Sequence, residues 1–499
     1  MKLFENFFSG LRGGVHPEGN KDLSAECPIR SVPLPKKLYV PLQQHIGAPA
    51  APVVKVGDKV LKGQLIAAAQ GNVSAAIHAP TSGTVVALGD HVAPHPSGLP
   101  VPTITLECDG KDEWCATQSC DQPLELAPEE IAGRVAAAGI VGLGGATFPS
   151  ALKLNLSRGS GVQTLIMNGG ECEPYLTCDD RIMRERASEI VEGSLLIARA
   201  VNAQEILVGI EDNKPEAIAA MRAAAQGTAI KVVAMPSMYP MGSEKQIIQV
   251  LTGMEIPAGG RPADIGVLVH NVATAWAVQQ AIRHGTPLIS RIVTLSGSAV
   301  RTPCNVEALI GTPVQELIEV AGGIVPPVAR LVLGGPMMGQ QFTDTELPVV
   351  KGTSGILALS ASEIGQAEAS PCIRCSTCVR ACPVGLLPLE MAAHIRTADL
   401  SGAVALGLKD CIACGSCSYV CPAHIPLVHF FNYAKGDLAA QERNKLKQEA
   451  TKKLADARSE RLARIERERA EAAAKRKAVR EAKERAAKEA AAKAAAEAV

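Results

Sequence analysis

The chain has 499 residues, too many for one ordinary hydrophobic core, so about three or four domains are expected. Its 50 lysines and arginines balance 50 aspartates and glutamates, so no global field advertises nucleic acid, and an aromatic content of 3% leaves little to stack on bases. No apolar run approaches the roughly 18 residues a spanning helix needs, and no secretory h-region precedes the 15 cysteines, which points to a reducing, cytoplasmic compartment.

At the start, Phe4, Phe7, Phe8 and Leu11 would share one helical face, expected to pack on another domain rather than on a membrane. From about Pro35 to Leu106, short Val, Ile and Ala runs alternate with Gly, Pro and Asp turns, the mark of a compact all-β unit. Its two half-motifs, KVGDKVLKGQLIA and HAPTSGTVVAL, resemble the lipoyl/biotinyl carrier sandwich. The turn that would present the modified lysine reads Gly71-Asn72-Val73-Ser74-Ala75, so no swinging-arm role is expected. Cys108, Cys115 and Cys120 are irregularly spaced and receive no metal. From Glu129 onward helical patterns alternate with strands such as Thr164 to Met167 and Glu205 to Gly209, which argues a parallel α/β core. Residues from about Ser290 to Gly323 read as strand, turn, strand and helix, similar to a soluble-ligand-binding β-grasp adaptor. Beyond about Leu438 the chain is Ala, Glu, Lys and Arg without Gly or Pro; its apolar positions are mainly alanine, so a solvated single helix or disorder is expected, not a coiled coil.

Cys372, Cys375, Cys378 and Cys382, followed by Pro383, match the C-x2-C-x2-C-x3-C-P run of bacterial ferredoxins, and Cys411, Cys414, Cys417 and Cys421, followed by Pro422, repeat it. Two-residue gaps let three thiolates converge on one cubane while the fourth reaches the other cluster. One [4Fe-4S] cluster is thus assigned to Cys372, Cys375, Cys378 and Cys421, and the second to Cys411, Cys414, Cys417 and Cys382. A zinc site would have no use for a third cysteine at this interval.

Gly142-Leu143-Gly144-Gly145-Ala146-Thr147-Phe148-Pro149 begins a helix after an apolar stretch, which lets backbone amides approach a phosphate, and Lys153 lies one turn on. Then follow Asn168-Gly169-Gly170-Glu171-Cys172-Glu173-Pro174, Tyr239-Pro240-Met241-Gly242-Ser243-Glu244-Lys245 and His270-Asn271-Val272-Ala273-Thr274. In this order the four segments resemble the FMN and NADH site of the flavoprotein subunit of respiratory complex I. The resemblance implies that Gly142, Gly144, Gly145 and Lys153 hold the FMN phosphate and ribityl chain, with Asn168, Glu171, Gly242, Glu244, Asn271 and Thr274 completing the site. It further implies that Phe148 and Glu173 face bound NADH. Gly170, Ser243 and His270 depart from the pattern, where that family has Asp, Glu and Asn.

Taken with the sandwich, the adaptor, the eight cysteines and the charged extension, the domain order resembles the RnfC family of Rnf-type ion-translocating electron-transport complexes. The fold class is therefore expected to be multidomain α/β and β. Residues 1–128 would form an N-terminal β barrel-sandwich and connector, 129–285 a Rossmann-like FMN/NADH domain, and 286–345 a β-grasp module. Residues 346–436 would form a ferredoxin-like α-helical two-cluster domain and 437–499 a charged helical tail. The resemblance implies two [4Fe-4S] clusters, FMN and NADH/NAD+ as cofactors, and integral membrane subunits and a ferredoxin-like subunit as partners. It implies a peripheral place on the cytoplasmic face of the bacterial inner membrane, with no nucleic acid. Two other readings stay open at this point: a cobalamin reductase of the microcompartment type, and an electron relay that binds no nucleotide.

Overall fold

A computed structural model describes residues 12–94, 97–365 and 367–496, so the apolar face expected at Met1 to Leu11 lies outside the described residues. The chain divides into two units, one through Phe431 and one from Asn432.

In the first unit, the antiparallel strands Lys37–Pro41, Pro100–Cys108, Gly83–Val92 and Lys59–Val60 form one sheet in that order. Ala51–Pro52, Leu65–Ala68 and Ile77–His78 form a second. Alternation along these strands turns Leu38, Val40, Val85, Ile104 and Leu106 inward, where they are fully buried with Ile66 and Ile77.

A four-stranded parallel sheet follows, in the order Ile230–Met235, Glu205–Glu211, Thr164–Gly169, Val267–Asn271. Helices cover such sheets on both faces, which is why Leu165, Ile166 and Met167 run apolar without alternation, all buried. Helix Ala187–Val201 packs against helix Val272–Gln279 so closely that a Cβ on Gly193 would stand 1.9 Å from the Ala275 carbonyl oxygen. The chain leaves Thr164–Gly169 toward Glu205–Glu211 on one side and returns to Val267–Asn271 on the other. Their carboxyl ends therefore flank the switch point where open α/β sheets bind ligands.

The third sheet is mixed, ordered Ile29–Ser31, Cys304–Leu309, Ser290–Ser296, Gly355–Leu359, Arg330–Leu333, Gln340–Phe342, with helix Val314–Val320 packed on Val293, Leu295 and Val306. Buried Thr177, Thr294, Asn305 and Ser24 hydrogen-bond to one another between this sheet and the parallel-sheet region, so these polar groups are satisfied within the seam. Short helices Thr377–Ala381, Pro388–Arg396, Leu400–Ala405 and Ser416–Tyr419 then carry the cysteine loops.

The second unit continues helix Leu427–Ala496, and residues 441–496 are exposed throughout, with i,i+4 pairs such as Arg480–Glu484 along the surface. Among the described residues no helix is long and apolar enough to cross a membrane.

Candidate redox site

The glycine loop sits at the switch point. The Gly142 N–H donates to the Phe148 carbonyl oxygen (2.8 Å) and the Leu143 N–H to Thr274 Oγ1 (2.9 Å), which ties the loop to the start of helix Val272–Gln279. Asn271 caps that helix, accepting from the Ala273 N–H at 2.9 Å, and its Cβ would lie 3.1 Å from a Cβ on Gly144. Gly144 and Gly145 are exposed on the rim, and Phe148 is half-buried. Arg291, fully buried, supports the loop from below by donating to the Leu143 carbonyl oxygen at 3.2 Å.

The other segments converge on the same face. Asn168 Nδ2 donates to the Gly242 carbonyl oxygen (2.8 Å), while its Oδ1 accepts from the Gly170 N–H (2.9 Å). A Cβ on Gly242 would stand 2.2 Å from the Gly170 oxygen, so the two backbones approach this closely only because Gly242 lacks a side chain. A Cβ on Gly170 would itself meet the Gly242 Cα at 3.1 Å, which gives the departure at Gly170 a packing reason. Lys153 Nζ reaches Glu244 (3.0 Å) and the Val269 carbonyl oxygen (2.7 Å).

Two of the acids have partners that the sequence did not disclose. Glu171, buried, accepts from the backbone N–H groups of Asp179 (2.8 Å) and Asp180 (3.3 Å) and so caps helix Cys178–Glu185. Asp179 in turn accepts from Asn271 Nδ2 (2.6 Å), and burial, followed by the adjacent Glu171, raises its carboxyl. The Glu173 carboxylate accepts from the Met337 (3.0 Å) and Met338 (2.8 Å) N–H groups, in a turn donated by the third sheet. Burial pushes its pKa to about 7, and those two hydrogen bonds only partly offset the rise. No spacing in the sequence signals these contacts, which join positions 164 and 165 residues apart.

The arrangement suits a phosphate-bearing flavin. At Gly145, with φ +107°, nothing lies within 4 Å of where a Cβ would stand, so the exposed loop backbone is open to an approaching group. In the neighbouring segment the buried His270 Nε2 has no hydrogen-bond partner, a polar atom that a ligand group would satisfy. Burial, reinforced by Lys153, holds His270 well below its ordinary pKa, so the ring is neutral.

The two cysteine loops trace the same path. Arg374 and Ala413 hold corresponding left-handed positions (φ 56° and 55°), as do Ser376 and Gly415 (59° and 80°) and Gly385 and His424 (67° and 50°). Such turns curl backbone N–H groups inward: Arg374 donates to Cys372 Sγ and Ala413 to Cys411 Sγ, each at 3.4 Å. Cys382, Cys411, Cys414 and Cys417 line one small apolar cavity. Burial, then the neighbouring Cys414 and Cys411, lifts the Cys417 thiol to about 12, so it ionises readily only when metal compensates. Ser370 N–H donates to the Ala423 carbonyl oxygen (2.9 Å), which brings the segment leading to Cys372 beside the one that follows Cys421; Cys372 and Cys375 are exposed.

A parallel nucleotide domain with an open glycine cradle, joined in one unit to an eight-cysteine loop pair, defines an iron–sulfur flavoprotein of the electron-transfer class. Comparison with known domains gives the RnfC barrel sandwich hybrid domain over residues 9–111 and the Nuo51 FMN-binding domain over 135–280. The SLBB domain matches over 292–341 and the 4Fe-4S dicluster domain over 371–425. The chain is 55% identical over 437 residues to the RnfC-type component of the ion-translocating oxidoreductase complex of Rhodobacter capsulatus, covering 87% of this chain and 84% of that protein. It is 45% identical over 441 residues to the corresponding component of the proton-translocating ferredoxin:NAD(+) oxidoreductase complex of Clostridium ljungdahlii, covering 88% and 96%. The chain belongs to this RnfC family. Among solved structures, a chain of an NAD+-reducing [NiFe]-hydrogenase superposes with a TM-score of 0.46 at 18% identity, over 66% of this chain and 64% of that one, too loose a likeness to add to the case.

Proposed function

We propose that this chain is the peripheral redox subunit of an Rnf-type complex, exchanging electrons between NADH, FMN and two [4Fe-4S] clusters. The observation that carries the reading is the meeting of four motif segments at the carboxyl ends of a parallel sheet, in the same compact unit as both cysteine loops. On this reading Gly142, Gly144, Gly145, Lys153, Asn168, Glu171, Gly242, Glu244, Asn271 and Thr274 hold FMN, and Phe148 and Glu173 face the nucleotide. FMN supplies the conversion between a two-electron hydride and single electrons. The chain's own residues bind its phosphate through loop amides and keep the site dry beneath Phe148. Lys153, already paired with Glu244, would offer its charge to the phosphate. The eight cysteines, in the two sets Cys372, Cys375, Cys378, Cys421 and Cys411, Cys414, Cys417, Cys382, hold the clusters.

The finer architecture follows: a Rossmann-like nucleotide domain, a β-grasp adaptor and a ferredoxin-like cluster domain, with limits near residues 128, 285, 345 and 436. The partners would be integral membrane subunits and a ferredoxin-like subunit at the cytoplasmic face of the inner membrane. A chain without a spanning helix among its described residues leaves ion movement to those partners.

Gly145→Ala tests the flavin site. The left-handed φ strains any L side chain by roughly 1 kcal/mol, and the new methyl would stand in the cradle. FMN binding is expected to weaken at least tenfold, while Gly227→Ala, equally left-handed at φ +78° with open space around it, should leave it unchanged. Equal FMN binding in the two variants would contradict the site.

A further inference from the structure

A loop of the N-terminal sandwich, residues 43–48, reaches the glycine loop of the nucleotide site. The Ile46 N–H donates to the Thr147 carbonyl oxygen at 3.4 Å. Thr147, left-handed at φ 47°, stands between the open backbone of Gly145 and the side chain of Phe148. The loop before strand Gly355–Leu359 arrives at the same residue, for a Cβ on Gly352 would stand 2.7 Å from Thr147 Cγ2. Three regions of the fold therefore meet at the rim of the site.

The sandwich loop is held firmly where it makes this approach. Gln43 Nε2 donates to the His45 (2.9 Å) and Gly47 (3.0 Å) carbonyl oxygens. Buried His45 accepts from the Ala75 N–H at Nε2 (3.0 Å), so its hydrogen sits on Nδ1 and is donated to the Ile46 carbonyl oxygen (3.1 Å). Gly47, at φ +108°, passes so near the Val73 carbonyl oxygen that a Cβ would stand 2.1 Å from it, and the Ala48 N–H donates to that oxygen at 2.9 Å. Buried Gln44 donates to the Pro41 carbonyl oxygen (3.0 Å) and accepts from the Lys351 N–H (3.1 Å). The turn at 71–75, which lacks the lysine of a carrier sandwich, thus buttresses this loop instead. Within so constrained a loop, Ile46 is nevertheless 54% exposed. A single exposed isoleucine is ordinary on a surface, but one fixed beside a ligand loop is preorganised to meet the ligand with little further loss of freedom.

We propose that residues 43–48 form a wall of the nucleotide site and that Ile46 packs against an apolar ring face of bound NADH. The proposal rests on the nucleotide reading above. It makes the sandwich part of the substrate site and Ile46 a binding residue for the dinucleotide, distinct from the residues that hold FMN.

The test uses the full chain loaded with FMN and both clusters, oxidised, and measures NAD+ binding at equilibrium together with FMN content. Ile46→Ala should raise the Kd for NAD+ about tenfold, the effect of losing one well-packed apolar contact. Ile46→Asp should raise it further, because a carboxylate would then stand near the dinucleotide's phosphates. FMN content and thermal midpoint should stay at the wild-type level in both. Val56→Ala, 60% exposed elsewhere on the sandwich, should leave NAD+ binding unchanged. In hydrogen exchange, residues 43–48 should be slowed by NAD+ in the wild type and not in Ile46→Asp. Equal NAD+ binding by the wild type and both Ile46 variants would overturn the proposal alone, and loss of FMN from Ile46→Ala would overturn it by placing the loop on the flavin side. A wild-type chain that retains FMN and binds no NAD+ would overturn the nucleotide reading, and this proposal with it.

Discussion

Glu173 puts an acid where its ionised form is poorly solvated, and its pKa near 7 follows from burial before anything else. An unfolded chain would release that proton near 4.5, so the folded state holds it over the window between the two values. The group's contribution therefore favours folding below about pH 4.5 and is lost as pH rises through about 7. Glu173→Gln removes this dependence. Between pH 6 and pH 8 the variant should gain about 1 kcal/mol on the wild type in denaturant unfolding followed at both pH values; a constant difference would contradict the assignment. Cys417 makes a second residue-scale case. It is one of the four cysteines assigned to the second cluster, so its replacement by alanine should cost that cluster, and iron content should fall by about half while bound FMN persists. At this scale the sequence was uneven in what it disclosed. Glycines and cysteines announce themselves, because a left-handed turn or a metal imposes spacing. The partner of an acid does not: Glu171 as a helix cap and Glu173 on the Met337 and Met338 amides depend on where distant backbone arrives.

Among the elements, the cysteine loops are the most completely written in local sequence, since two-residue gaps with left-handed residues between the thiols leave little choice of path. The nucleotide-sheet strands were legible as apolar runs, but their order in space was not. The tail is the converse case: composition allowed a solvated helix or disorder, and the structure has the helix. It presents no apolar stripe, and its i,i+4 pairs contribute only tenths of a kcal/mol each. Truncation after residue 440 should therefore leave the flavin and iron–sulfur absorbance and the thermal midpoint of the remaining chain unchanged within about 2 °C; loss of either cluster on truncation would show the helix to be part of the redox fold.

Across the whole molecule, the order of motifs, read through their resemblance to known families, pointed to a sandwich, a flavin domain, an adaptor and a cluster domain, and domain models match each of these regions. What escaped was the way they interlock. Ile29–Ser31 leaves the N-terminal region to pair in parallel with Cys304–Leu309, a three-residue strand too short to leave a pattern. Lys351, fully buried, donates to the Ala76 and Gly139 carbonyl oxygens (2.7 and 2.6 Å) and so pins the third sheet's far end to both the sandwich and the nucleotide domain. Such seams make residues through Phe431 one unit in which a nucleotide face and two cysteine loops hold fixed positions. The most direct test of that joint redox role is an anaerobic titration of the reconstituted full chain with NADH, following flavin absorbance and cluster EPR together. Flavin bleaching followed by the appearance of reduced-cluster signals is the expected result; clusters that dithionite reduces but NADH does not, in a chain that retains no FMN, would contradict it.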